Sequence, residues 1–133
     1  MRQFYIRFVA GDLDSDSLRE VGILQVAYRL RDDPKLYDYE AALLAEHLEW
    51  FEHHLKTPSR FTAAKPPYYR KENRAISWFK ETAAEHLPRA REIVRLLEGH
   101  GISVRMIKTD RPGYVVYEDD HQVVAQPFAD VST

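Results

Sequence analysis

The residues best suited to chemistry lie between Lys56 and Lys80. Seven cations fall there, Lys56, Arg60, Lys65, Arg70, Lys71, Arg74 and Lys80, against the single acid Glu72. This local charge of +6 sits in a chain of net charge −2. Phe61, Tyr68, Tyr69, Trp78 and Phe79 are interleaved with the cations. Cations that hold phosphates beside rings that stack on bases are what a nucleotide or single-stranded nucleic acid requires. Arg60, Lys65, Tyr68, Tyr69, Arg70, Lys71, Arg74 and Lys80 are therefore the expected ligand-binding residues. The competing reading is a solvated loop whose rings lie on the core.

Two acidic groups follow apolar runs: Asp12, Asp14 and Asp16, then Glu118, Asp119 and Asp120. Carboxylates at strand ends can hold Mg²⁺ with water and phosphate completing the shell. The run Phe8-Val9-Ala10-Gly11-Asp12-Leu13-Asp14 resembles the strand-then-DxD motif of haloacid-dehalogenase-like phosphatases over about ten residues. That resemblance implies a Mg²⁺-dependent phosphoesterase on a parallel sheet with alternating helices, and a lysine motif between two acidic motifs. Consecutive helical segments followed by short strands do not supply such a sheet. An EF-hand is excluded, because Ser17 stands where the loop glycine belongs and Ile23 where the bidentate Glu belongs. The plain reading of both acidic groups is turns and a helix cap. His47 and His54 are two helical turns apart, about 10.5 Å along an axis, too far to share a metal without further ligands. Glu49 and His53 make a surface pair. With no HExxH and no Ser–His–Asp arrangement, neither catalytic residue nor cofactor is implied. The expectation is a non-enzymatic binding module.

These residues need elements to position them. Phe4, Ile6, Phe8 and Ala10 alternate with Tyr5, Arg7 and Val9, which reads as a half-buried strand. A turn leads to Ser17, which with Glu20 fits a capping box opening a helix over about Leu18–Arg31. A second helix spans about Leu36–Leu55, with Tyr37, Ala41, Leu44, Leu48, Phe51 and Leu55 in one stripe and Leu43, His47, Trp50 and His54 beside it. The connection from Thr57 to Asn73 holds three prolines and is long enough to be functional or disordered. A third helical stretch is expected over Arg74–His100, with Ile76, Phe79, Ala83, Leu87, Ala90, Val94 and Leu97 in phase and a kink at Pro88. Gly101 suits a Schellman ending in which Ile102 packs back on Leu97. Strands over Ile102–Thr109, Tyr114–Glu118 and Gln122–Phe128 close the chain as an antiparallel meander.

The predicted fold is one α+β domain over residues 1–133, ordered β-α-α-α-β-β-β. Its sheet has about four largely antiparallel strands, with the helices on one face. Phe4, Ile6, Phe8, Leu44, Leu48, Phe51, Val94, Leu97, Val104 and Met106 should be buried. The opposite face should carry Tyr5, Arg7, Arg105 and Ile107, too apolar for plain solvent surface. With Leu43 and Trp50 it offers an alternative function, a homodimeric protein-interaction adaptor.

Composition agrees with a globular protein: 133 residues, 44% hydrophobic and 30% charged. The absence of cysteine excludes disulfides, thiolate zinc sites and cysteine nucleophiles. No apolar run approaches a membrane span, and the start lacks a signal-peptide core. A cytoplasmic location is the expectation.

Overall fold

The computed structural model describes residues 2–13, 20–55 and 75–128. Six strands and three helices follow in the order β1 (Tyr5–Leu13), β2 (Glu20–Gly22), α1 (Ile23–Arg31), α2 (Asp38–His54), β3 (Ile76–Lys80), α3 (His86–Gly99), β4 (Val104–Thr109), β5 (Tyr114–Glu118) and β6 (Gln122–Gln126). The architecture is α+β, and every strand pairing among the described residues is antiparallel. No helix among the described residues is long and apolar enough to cross a membrane.

β1 organises the sheet. One of its edges pairs with β4 along six residues, Tyr5 opposite Thr109 through Ala10 opposite Val104. The other edge is divided: Tyr5 and Ile6 pair with β3, while Val9, Ala10 and Leu13 pair with β2. β6 then pairs with β3, and β5 with β6. The six strands thus occupy five positions rather than about four. β4 lies against β1, so only β5 and β6 form the adjacent hairpin of the expected meander. A strand in the middle of a sheet has two edges to fill, and β1 fills one with a segment from near the other end of the chain.

Two further expectations are corrected. The helix expected from Leu18 begins only at Ile23, because Glu20–Gly22 extends along β1. The stretch expected as one helix over Arg74–His100 is a strand, a turn and a helix. In β3, Ile76 and Trp78 point to one side of the sheet, and Ser77 and Phe79 to the other. Apolar residues at 76, 79, 83 and 87 match helical spacing by coincidence. Pro88 stands in the first turn of α3, where a missing N–H costs no intrahelical bond, so a proline kink has no place there.

The helices cover one sheet face. The main core joins Ile6, Phe8 and Phe79 to Ala27, Leu30, Leu44, Leu48, Phe51, Ala90, Ile93 and Leu97. Within α3 it is Ile93 that is buried, and Val94 only packs at its margin. Phe4 and Val104 are half-buried, and Met106 is 50% exposed on the edge strand β4. The Schellman ending forms as expected: Gly101, at φ 81°, donates to the Glu98 carbonyl, and Ile102 to that of Leu97. Glu40 at the start of α2 meets His100 at the end of α3 at 3.0 Å, tying the two helices together.

The opposite face is a second core rather than an open surface. Ile76, Trp78 and Val123 are buried there, with Tyr5 and Ile107 packed against them. Val9 and Ala125 are also fully buried.

Candidate functional site

Of the eight residues expected to bind a ligand, Arg60, Lys65, Tyr68, Tyr69, Arg70, Lys71 and Arg74 lie outside the described residues. Lys80 ends β3. Its ammonium meets the Glu118 carboxylate at 2.6 Å, and its side chain is 16% exposed. Lys80 is thus neutralised within the sheet.

The expected interface residues separate into two places. Arg7 stands opposite Ile107, and Arg105 opposite Val9, so Tyr5, Arg7, Arg105 and Ile107 do share a face. That face is partly core: Tyr5 and Ile107 are half-buried, while Arg105 is exposed. On α2, Leu43 is exposed, but Trp50 is not an open ring. His54 stacks on it at 4.2 Å, His86 meets it edge-on at 4.8 Å, and the Arg89 guanidinium lies 4.7 Å from its centre.

This cluster sits where α2 ends, just before the basic segment begins. His86, at the first turn of α3, is 2% exposed. Its Nε2 lies 2.7 Å from the His54 carbonyl oxygen. A carbonyl only accepts, so Nε2 carries the proton and donates. The acceptor is one of the last carbonyls of α2, which have no partner within the helix. His86 therefore caps α2 from another element. The same geometry leaves the buried Nδ1 as an acceptor with no hydrogen-bond partner among the described residues. His121, from the β5–β6 turn, stacks on His86 at 4.4 Å. His54 donates in turn from Nδ1 to the Trp50 carbonyl at 2.8 Å.

The electrostatics favour the neutral imidazole at His86 and at His47. Burial lowers the His86 pKa, and His121 and the His54 ring reinforce the shift, while the bond to the His54 carbonyl and the charge of Asp119 oppose it. Burial and then Arg89 lower that of His47, against Glu46 and Glu92. Stability carried by a histidine with a lowered pKa is complete above the unfolded value of about 6.5 and is lost as pH falls below it. The urea midpoint of the wild type should therefore drop between neutral pH and mildly acidic pH. His86→Gln should flatten that dependence, since each such group contributes at most about 1.4 kcal/mol per pH unit. The same pH dependence in both proteins would remove His86 from the explanation.

The second acidic group is engaged internally. Asp119 Oδ1 accepts the backbone N–H groups of His121 and Gln122, at 2.8 and 3.0 Å. Its Oδ2 accepts the Tyr117 hydroxyl at 3.0 Å and the Gln122 amide at 3.3 Å. Burial alone would raise its pKa, but these four donors together hold the carboxyl below its usual value. Gln122 also accepts the Ser77 hydroxyl at 2.7 Å. Among the described residues no group of three or more His, Cys, Asp or Glu could hold a metal ion. The side chains of Asp12, Asp14 and Asp16 lie outside the described set.

His86, His121 and Arg89 carried no signal in the sequence. Each is isolated there, and only the meeting of α2, α3 and the β5–β6 turn brings them to Trp50. Compared with known protein families, with curated proteins and with solved structures, the chain matches none.

Proposed function

We propose that this chain is a non-enzymatic binding module for a phosphate-bearing ligand, a nucleotide or single-stranded nucleic acid, held by the segment from Lys56 to Arg74. The carrying observation is charge segregation: six cations against one acid, with Phe61, Tyr68 and Tyr69 among them, in a chain that is otherwise acidic. A localised positive field binds polyanions at one place, whereas evenly spread charge does not. Two features of the fold support the reading. The segment is anchored at both ends, leaving α2 at Leu55 and rejoining the sheet at Ile76. Two of the three acids of the neighbouring turn are also occupied, Glu118 by Lys80 and Asp119 by its four donors.

The test is binding of labelled single-stranded RNA and DNA by the wild type and by Arg70→Glu with Lys71→Glu, at a series of salt concentrations. Each phosphate contact on a single strand adds about 0.7 to the slope of log affinity against log salt. The double variant should therefore bind more weakly, with a slope shallower by about 1.4. Tyr68→Ala or Tyr69→Ala should lower affinity by about tenfold or more through lost stacking, without changing the slope. Absence of binding by the wild type at low salt, or an unchanged slope in the double variant, refutes the proposal.

A further inference from the structure

His86 is buried where α2, β3, α3 and the β5–β6 turn meet, and its two ring nitrogens are unequally served. Trp50 and Phe51 of α2, Phe79 of β3 and His121 of the turn all pack their rings against it. Nε2 donates to the His54 carbonyl, while the buried Nδ1 has no partner. A proton on Nδ1 would turn that idle acceptor into a charged donor with nothing to receive it. The charge of Asp119 favours such a proton. Its two oxygens, however, already accept four donors, about as many as a carboxylate can hold. The other nearby charges oppose the proton or are engaged elsewhere. His121 and His54, once protonated, each repel a second cation. Arg89 is held over the Trp50 ring, against which His86 also packs. Lys80, next to Phe79, is bound to Glu118. Glu85 and Asp120, the chain neighbours of His86 and His121, are exposed.

A buried imidazolium with no acceptor for one N–H must reach water, and His86 does so only by leaving its site. It then gives up the His54 carbonyl, and the end of α2 loses its cap. The stack with His121 is lost as well. The middle of α2 is held differently: Leu44 and Leu48 belong to the apolar core with Ile93 and Leu97, whose packing carries no charge. We infer that His86 is a proton-operated latch, whose protonation detaches the last turn of α2 from α3 and the β5–β6 turn while the apolar core stays closed. The latch lies at a boundary of the chain, because the basic segment of residues 56–74 begins immediately after Leu55. Opening is favoured as pH falls below about 6.5, since a hydrated imidazole takes the proton more readily than the buried one. The inference does not rest on polyanion binding by that segment.

The experiment is amide hydrogen exchange followed by NMR on the full chain, from neutral to mildly acidic pH, with rates corrected for the chemistry of exchange itself. Two groups of amides report on the latch. One is Phe51 to Leu55; the other is Lys80, whose N–H donates to the His121 carbonyl at 2.8 Å. Their protection should fall by up to tenfold per pH unit below about 6.5, the limit for one proton. Low urea separates this opening from global unfolding, because a local opening exposes little surface. Urea below the unfolding transition should leave these rates nearly unchanged while it accelerates exchange at Leu48 and Leu97. His86→Gln keeps a side-chain N–H for the His54 carbonyl but takes up no proton, so the pH dependence at the end of α2 should vanish. Melting followed by circular dichroism establishes whether this variant is folded. If it is not, His54→Gln with His121→Gln, both at exposed positions, decides the matter. That pair removes the charges that oppose the proton, so the acid loss of protection should shrink. Protection at the end of α2 that does not change with pH overturns the inference. So does a urea dependence there equal to that of Leu48, since the proton would then act only through global unfolding. A pH dependence that persists in folded His86→Gln, or that His54→Gln with His121→Gln leaves unchanged, overturns it as well.

Discussion

Leu48→Ala will lower the unfolding free energy by about 2–5 kcal/mol. Leu48 lies in the middle of α2, is essentially inaccessible, and belongs to the core that includes Ile6, Phe8, Ala27, Leu44, Phe51, Ile93 and Leu97. The loss combines the transfer energy of the removed carbons with the cavity they leave, because α1, α3 and the sheet cannot all close in at once. Domains of this size are stable by only about 5–15 kcal/mol, so the urea midpoint should move far, with little change in its slope. The control lies on the same helix: Leu43→Ala, on the exposed side, should change stability by about 0.5 kcal/mol or less. Equal losses at the two positions would mean that α2 presents a different face to the core.

The second large effect is at Gly113, before β5. Its φ is 133°, a region almost confined to glycine. A Cβ built there would overlap the Gln126 carbonyl oxygen and lie 2.6 Å from its carbon, where β6 pairs with Tyr114. Backbone does not yield as a flexible side chain can. Gly113→Ala should therefore combine conformational strain with a forced separation of the β5–β6 hairpin, about 3 kcal/mol or more in all. Gly101 supplies the comparison. Its φ is also positive, at 81°, yet a Cβ there meets nothing within 4 Å. Gly101→Ala should cost only about 1–2 kcal/mol, the conformational part alone. If thermal melts show the two alanine variants equally destabilised, the close approach to Gln126 on β6 is not what constrains Gly113.

Much of the fold is written locally in the sequence. The alternation of Phe4 to Ala10 specifies β1, the stripe Ala41, Leu44, Leu48, Phe51 specifies α2, and Gly101 followed by Ile102 specifies how α3 ends. Each of these signals spans only a few residues, because backbone periodicity and helix capping are set by near neighbours. The segregation of positive charge into residues 56–74 is also a property of the sequence alone.

The tertiary structure decided what near neighbours cannot. Ile76 to Phe79 fit a helical stripe as well as an alternating strand, and pairing with β1 and β6 selected the strand. β4 joined β1 and not the hairpin that follows it, because strand pairing depends on which edge is free in the assembled sheet. Val9 could be recognised as facing away from the helices, but not as buried, since burial is a property of everything that packs around a residue. His86 shows the same limit most clearly: a histidine with no local signal became the cap of α2 and the partner of His121, because three distant elements converge on it.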